Sequence, residues 1–130
     1  MEVNSNKKAD SIRILLVDDE QGFVDVLAKR LSRRKFDASV AYNGSEAVQL
    51  LRRKDFDIAV LDLKMEGMDG LEVLKIFKVM TPELPVIILT GHGCFSSAEE
   101  GIKIGAADYI SKPYDFEQLV EKVRSIVRRG

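Results

Sequence analysis

The chain has 130 residues, 45% of them hydrophobic, and its 20 basic and 21 acidic side chains leave a net charge of −1. That length holds one domain of ordinary size around one core and leaves no room for a second folded unit. The near-neutral balance lacks the surplus of lysine and arginine that a nucleic-acid binder sets against phosphate, so direct nucleic-acid contact by this domain is not expected.

Residues 1–11 are polar, carry Lys7 and Lys8, and are not followed by an apolar stretch of signal-peptide length. They read as a flexible N-terminal segment ahead of a domain over 12–130. The apolar runs at 12–17 and 84–89 are far too short to cross a membrane. One cysteine, Cys94, excludes an intramolecular disulfide; it reads as a passive loop side chain, and the chain as cytoplasmic.

Along the chain, strand-like and helix-like segments alternate. Residues 12–17 form a first apolar run, and Phe23, Leu27 and Leu31, four apart, predict one face of a first helix. A weak second strand at 38–41 leads to Asn43-Gly44, which opens a second helix marked by Ala47, Val48 and Leu51. The third strand, 58–61, is followed by Asp69-Gly70 and a third helix on Leu71, Leu74 and Phe77, closed before Pro82. A fourth strand at 85–89 precedes the poorest helix, about 97–104, which contains Gly101 and has only Ala98 and Ile102 as anchors. That composition predicts a loosely held element. A short fifth strand, 108–110, leads to the clearest helix: Phe116, Leu119, Val120, Val123, Ile126 and Val127 form one stripe, with Asp115 as a cap.

Runs one, three and four are almost continuously apolar, as strands of a parallel sheet covered on both faces must be. Five such alternations predict an α/β doubly wound domain with a five-stranded parallel sheet. In such sheets the ligand crevice lies beyond the carboxyl ends of the strands. Those ends carry Asp18-Asp19-Glu20, Asp62, Thr90 and Lys112. Converging carboxylates repel one another in a partly dry crevice, and a hard divalent cation, Mg²⁺ or Mn²⁺, relieves that repulsion.

An aspartate can take a phosphoryl group as nucleophile, and the transfer needs its oxygens neutralised by metal, ammonium and hydrogen-bond donors. On this charge argument Asp18 and Asp19 hold the metal, Lys112 supplies the ammonium and Thr90 a hydroxyl. Asp62, on the apolar and central third strand, is the nucleophile candidate.

The blocks at 14–20 (ILLVDDE), 60–65 (VLDLKM), 68–70 (MDG), 89–91 (LTG) and 107–113 (ADYISKP), in this order and spacing, resemble the receiver domain of two-component response regulators, the CheY-like family. The resemblance runs from about Ile12 to Arg128. It implies a flavodoxin-like sheet of order 2-1-3-4-5 and phosphorylation at Asp62 by a histidine kinase or histidine phosphotransfer protein. It further implies Asp18, Asp19, Asp62 and the backbone carbonyl of Lys64 as metal ligands, and Lys112 as partner of the phosphoryl group. Thr90 would be the switch hydroxyl, Tyr109 the aromatic that swings inward, and Lys112-Pro113 a cis peptide. Members of the family vary at the positions of Lys64 and His92, which influence dephosphorylation. A homodimer through the fourth helix, fifth strand and fifth helix is a further family expectation.

The same residues bear on other functions. A phosphatase with an aspartyl nucleophile needs a second Asp two residues on, where this chain has Lys64. A flavin domain needs a phosphate-cradling loop after the first strand, where Asp18-Asp19-Glu20 would repel phosphate. A degenerate receiver, acting only as an interaction or dimerisation module, would bind no metal. The acidic pair could also be a plain helix cap.

Overall fold

The computed structural model of the chain describes residues 11–91 and 95–129. The expected mobility of the N-terminal segment (Ser11 apart), His92 and Cys94 lie outside the described residues. Five strands, β1 (Ile12–Val17), β2 (Phe36–Ala41), β3 (Ile58–Asp62), β4 (Val86–Thr90) and β5 (Asp108–Ser111), form one parallel sheet of order β2-β1-β3-β4-β5. The helices are α1 (Gln21–Ser32), α2 (Gly44–Arg53), α3 (Gly70–Met80), α4 (Phe95–Ile104) and α5 (Phe116–Arg129). A short antiparallel ribbon, Lys64–Met65 against Met68–Asp69, follows β3 and adds to the expected elements.

The strands sit in the middle because their side chains alternate between two cores. Ile14, Leu16, Val60, Ile87 and Leu89 pack on one face with Leu27 and Leu31 of α1 and Leu119, Val120 and Val123 of α5. Leu15, Val17, Ala59, Leu61 and Ile88 pack on the other with Ala47 and Leu51 of α2 and Val73, Leu74 and Phe77 of α3. Every residue of β3 and β4 is buried, which explains their unbroken apolar runs. β2, at the sheet edge, buries only its two ends, so its sequence carries less signal, and the strand starts at Phe36, two residues before the expected 38.

Two of the expected helix N-termini carry side-chain caps, at Asn43 and Asp69. Asn43 Oδ1 accepts from the Glu46 N–H at 2.8 Å, and Glu46 Oε1 accepts from the Tyr42 N–H at 2.8 Å. Asp69 Oδ1 accepts from the Leu71 N–H at 3.0 Å, and the Asp115 carbonyl accepts the first bond of α5 from Leu119 at 3.1 Å. Gly70 has a steric reason as well: a side chain there would strike the backbone of Leu63.

Two helix faces differ from expectation. On α1 the buried set is Val24, Leu27 and Leu31, and Phe23 is 40% exposed, because the helix begins at Gln21 and turns Phe23 towards the sheet's carboxyl edge. On α4, Ile102 faces solvent, so Ala98 is an anchor and Ile102 is not. Gly101 is buried, and a Cβ there would meet the tip of the Ile88 side chain of β4. The glycine thus lies where α4 comes close to the sheet.

Candidate functional site

Strand register brings the chemistry together. Val17 lies opposite Leu61, which sets Asp18 level with Asp62; Asp62 lies opposite Leu89, and Thr90 opposite Ser111. Backbone bonds run one step beyond the strands and fix the residues there: Asp18 N–H to Ala41 O at 3.1 Å, Leu63 N–H to Leu89 O at 3.1 Å, and Lys112 N–H to Thr90 O at 2.8 Å. The Lys112-Pro113 peptide is cis.

Asp18, Asp62 and Thr90, exposed by only 2%, 4% and 3%, are the buried polar side chains among the described residues, and all three lie at this edge. Such burial is costly unless the groups are paired, so its concentration at one place marks a site. Lys112 Nζ donates to Asp62 Oδ2 at 2.9 Å and reaches Glu20 Oε1 at 3.2 Å and Asp18 Oδ2 at 3.5 Å. The other Asp62 oxygen, Oδ1, accepts from the Lys64 N–H at 2.9 Å. Asp18 Oδ1 accepts from the Glu20 N–H at 2.9 Å.

The electrostatics follow from three carboxylates facing one ammonium. Burial, then the charge of Asp62, pushes the Asp18 carboxyl above its ordinary range, against the Glu20 N–H and Lys112. Burial pulls the Lys112 ammonium down, but the hydrogen bond and charge of Asp62 and the charge of Asp18 outweigh it, so its pKa stands above the usual lysine value. A negative surplus persists that a hard cation would balance.

The sequence-predicted residues are distributed as follows. Oxygens of Asp18, Glu20 and Asp62 lie within 4.8 Å of one another. Asp19 is not in that trio; its Oδ2 accepts from the Glu66 N–H at 2.8 Å and ties the ribbon to the end of β1. Glu20, given no separate role in the sequence reading, is the third carboxylate, and its position directly after the acidic pair was the available signal. It occupies the N-cap position of α1 without a side-chain cap bond, so the acidic run is not a simple helix cap. The Lys64 side chain is exposed, and Tyr109 on β5 is 36% exposed. Beside the site, Lys112 Nζ lies 5.1 Å from the Phe23 ring centroid, and Phe23 meets Tyr114 edge to face at 6.1 Å. The Tyr114 hydroxyl is buried without a hydrogen-bond partner, and burial raises its pKa to about 12.

A doubly wound parallel sheet with an acid pocket and a lysine at the carboxyl edge defines a flavodoxin-like class of α/β domain. Comparison with known proteins narrows the class. The family model of the response regulator receiver domain matches residues 14–124, and the chain belongs to that family. An NtrX-like response regulator of Rickettsia bellii is 40% identical over 111 residues, 84% of this chain and 23% of the relative. The transcriptional regulatory protein ZraR of Klebsiella oxytoca is 37% identical over 110 residues, 85% of this chain and 25% of the relative. This chain thus spans about a quarter of the length of these curated relatives. The crystal structure of the receiver domain of NtrX from Brucella abortus superposes with a TM-score of 0.86 at 31% identity, covering 90% of this chain and 99% of that one. A CheY-like receiver domain protein from Methanospirillum hungatei gives 0.87 at 26% identity, covering 92% and 96%. The receiver-domain function in two-component signalling follows from the family, and no helix among the described residues is long and apolar enough to cross a membrane.

Proposed function

We propose that Asp62 accepts a phosphoryl group from the phosphohistidine of a histidine kinase or histidine phosphotransfer protein and that the domain switches a partner surface in response. The observation that carries this reading is the coincidence of the buried polar side chains with the Lys112 ammonium, 2.9 Å from Asp62, at one sheet edge. An Asp62 oxygen forms a bond to phosphorus as the phosphorus–nitrogen bond breaks, and the imidazole leaves with the electron pair. Lys112 then turns from the carboxylate to a phosphoryl oxygen, and Thr90 supplies a hydroxyl donor.

The donor set fits Mg²⁺ or Mn²⁺: it is oxygen-only, largely buried and short of positive charge. Asp18, Asp62 and the Lys64 carbonyl would hold the ion, with Asp19 joining by exchanging its Glu66 contact or using its second oxygen. When bound, the metal neutralises charge on the phosphoryl oxygens. The outward-facing Tyr109 would move in as Thr90 moves towards the phosphoryl group, and the surface of α4, β5 and α5 would then serve a homodimer or effector. The domain would act as a switch that turns over only its own phosphoryl group, in the cytoplasm, as the receiver part of a longer regulator.

Incubation with Mg²⁺ and a small acyl phosphate is expected to give an acid-labile adduct, read by intact mass, that Asp62→Asn abolishes. An adduct persisting at the same site in Asp62→Asn overturns the assignment. A protein that binds no divalent ion and takes no phosphoryl group would instead be the degenerate, pairing-only receiver.

A further inference from the structure

We propose that Glu20 is a positioning residue: its carboxylate shares the Lys112 ammonium with Asp62 and thereby restrains entry of the phosphoryl group. The proposal rests on Asp62 being the acceptor. Glutamate is a poor N-cap, and this one makes no cap bond, although its carbonyl accepts the first helical bond from Val24 at 3.0 Å. Its side chain reaches across the crevice to Lys112 at 3.2 Å instead. The partners differ in setting. Asp18 and Asp62 are 3% and 5% exposed in their side chains, Lys112 24% and Glu20 66%. The ammonium therefore spans from the buried pair to a carboxylate at the mouth.

Two consequences follow from that placement. A phosphoryl group arriving on Asp62 brings up to about two negative charges and must draw Lys112 to itself. Glu20 competes for that ammonium and also repels the anionic donor at the entrance. The same negative charge attracts a divalent cation into the pocket. Glu20 thus acts oppositely on the two reactants: it favours metal entry and slows phosphoryl transfer.

The test uses Glu20→Gln, which removes the charge, and Glu20→Asp, which keeps it. An aspartate is one methylene shorter and is expected to favour the helix amides as a cap over Lys112. For Glu20→Gln, phosphorylation by a small acyl phosphate at saturating Mg²⁺ is expected to quicken, and the Mg²⁺ concentration for half-saturation, measured by calorimetry, to rise. Each change should be roughly two- to fivefold, the range of a half-exposed ion pair. In metal-free protein, the lysine ammonium resonance of Lys112 should shift in both variants. A Glu20→Gln protein that is unchanged or slower at saturating Mg²⁺ overturns the proposal, as does a Lys112 resonance unmoved in either variant. Should the wild type take no phosphoryl group on Asp62, the acceptor reading fails, and the ammonium resonance still tests the Glu20–Lys112 contact.

Discussion

The two ends of the sheet carry ion clusters on the same two strands or next to them, and they are built on opposite terms. At the amino end, the Arg13 guanidinium grips Asp57 through two side-chain bonds of 3.2 and 2.9 Å, and the Arg13 N–H adds a third at 2.8 Å. One cation meets one anion, both partly in water. The hydrogen bonds and charge of Arg13 hold the Asp57 carboxyl below its ordinary value. At the carboxyl end, two buried carboxylates and an exposed one share a single lysine, and burial pushes Asp18 the other way. A balanced pair closes the fold. An unbalanced one leaves charge that a bound cation would neutralise.

The sharpest way to break this contrast is to remove each cation. In metal-free buffer, Lys112→Met should cost about 2–4 kcal/mol in urea unfolding, because it strands two buried carboxylates. Saturating Mg²⁺ should recover much of that loss. A cost no larger than that of Arg13→Met would erase the distinction between the two ends. Next in size is a gain: Asp18→Asn should stabilise the metal-free protein by about 1 kcal/mol, since it removes a charge that burial and Asp62 both oppose. Loss of stability without metal would argue against a negative surplus.

The smallest effect lies at the amino end. Asp57→Asn should cost no more than about 1 kcal/mol at neutral pH, after allowance for solvent screening. Because the folded protein holds the Asp57 pKa below its unfolded value, this contribution is complete above the unfolded pKa and is lost as pH falls through the folded one. Urea titrations of wild type and variant should therefore converge between about pH 5 and pH 2. A gap that stays constant across that window would remove Asp57 ionisation from the account.

How much of this was legible in the sequence varied with the physics of each element. β1, β3 and β4 could be read because burial on both faces forces an unbroken apolar run. The stripe on α5 could be read because helical spacing repeats over its length. β2 was faint because an edge strand needs apolar residues only where a helix covers it. Phe23 and Ile102 were misassigned because residues one apart on a helix fit neighbouring faces, and tertiary contact alone chose Val24 over Phe23. Gly101 could be read two ways, because a single sequence does not distinguish a glycine that loosens a helix from one that lets it pack closely. At the site, Asp18, Asp62, Thr90 and Lys112 could be placed together from strand ends alone. The engagement of Asp19 with Glu66 and of Glu20 with Lys112 depends on side-chain reach, which no spacing rule encodes.

The main-chain bond from the Lys112 amide to the Thr90 carbonyl has a practical meaning for anyone transplanting this machinery. That bond holds the two strand tips bearing the hydroxyl and the ammonium in register, while the side chains themselves remain free to turn. An insertion in either connecting loop is harmless only if it leaves that rung intact, and a graft into another scaffold must carry both strand tips in register.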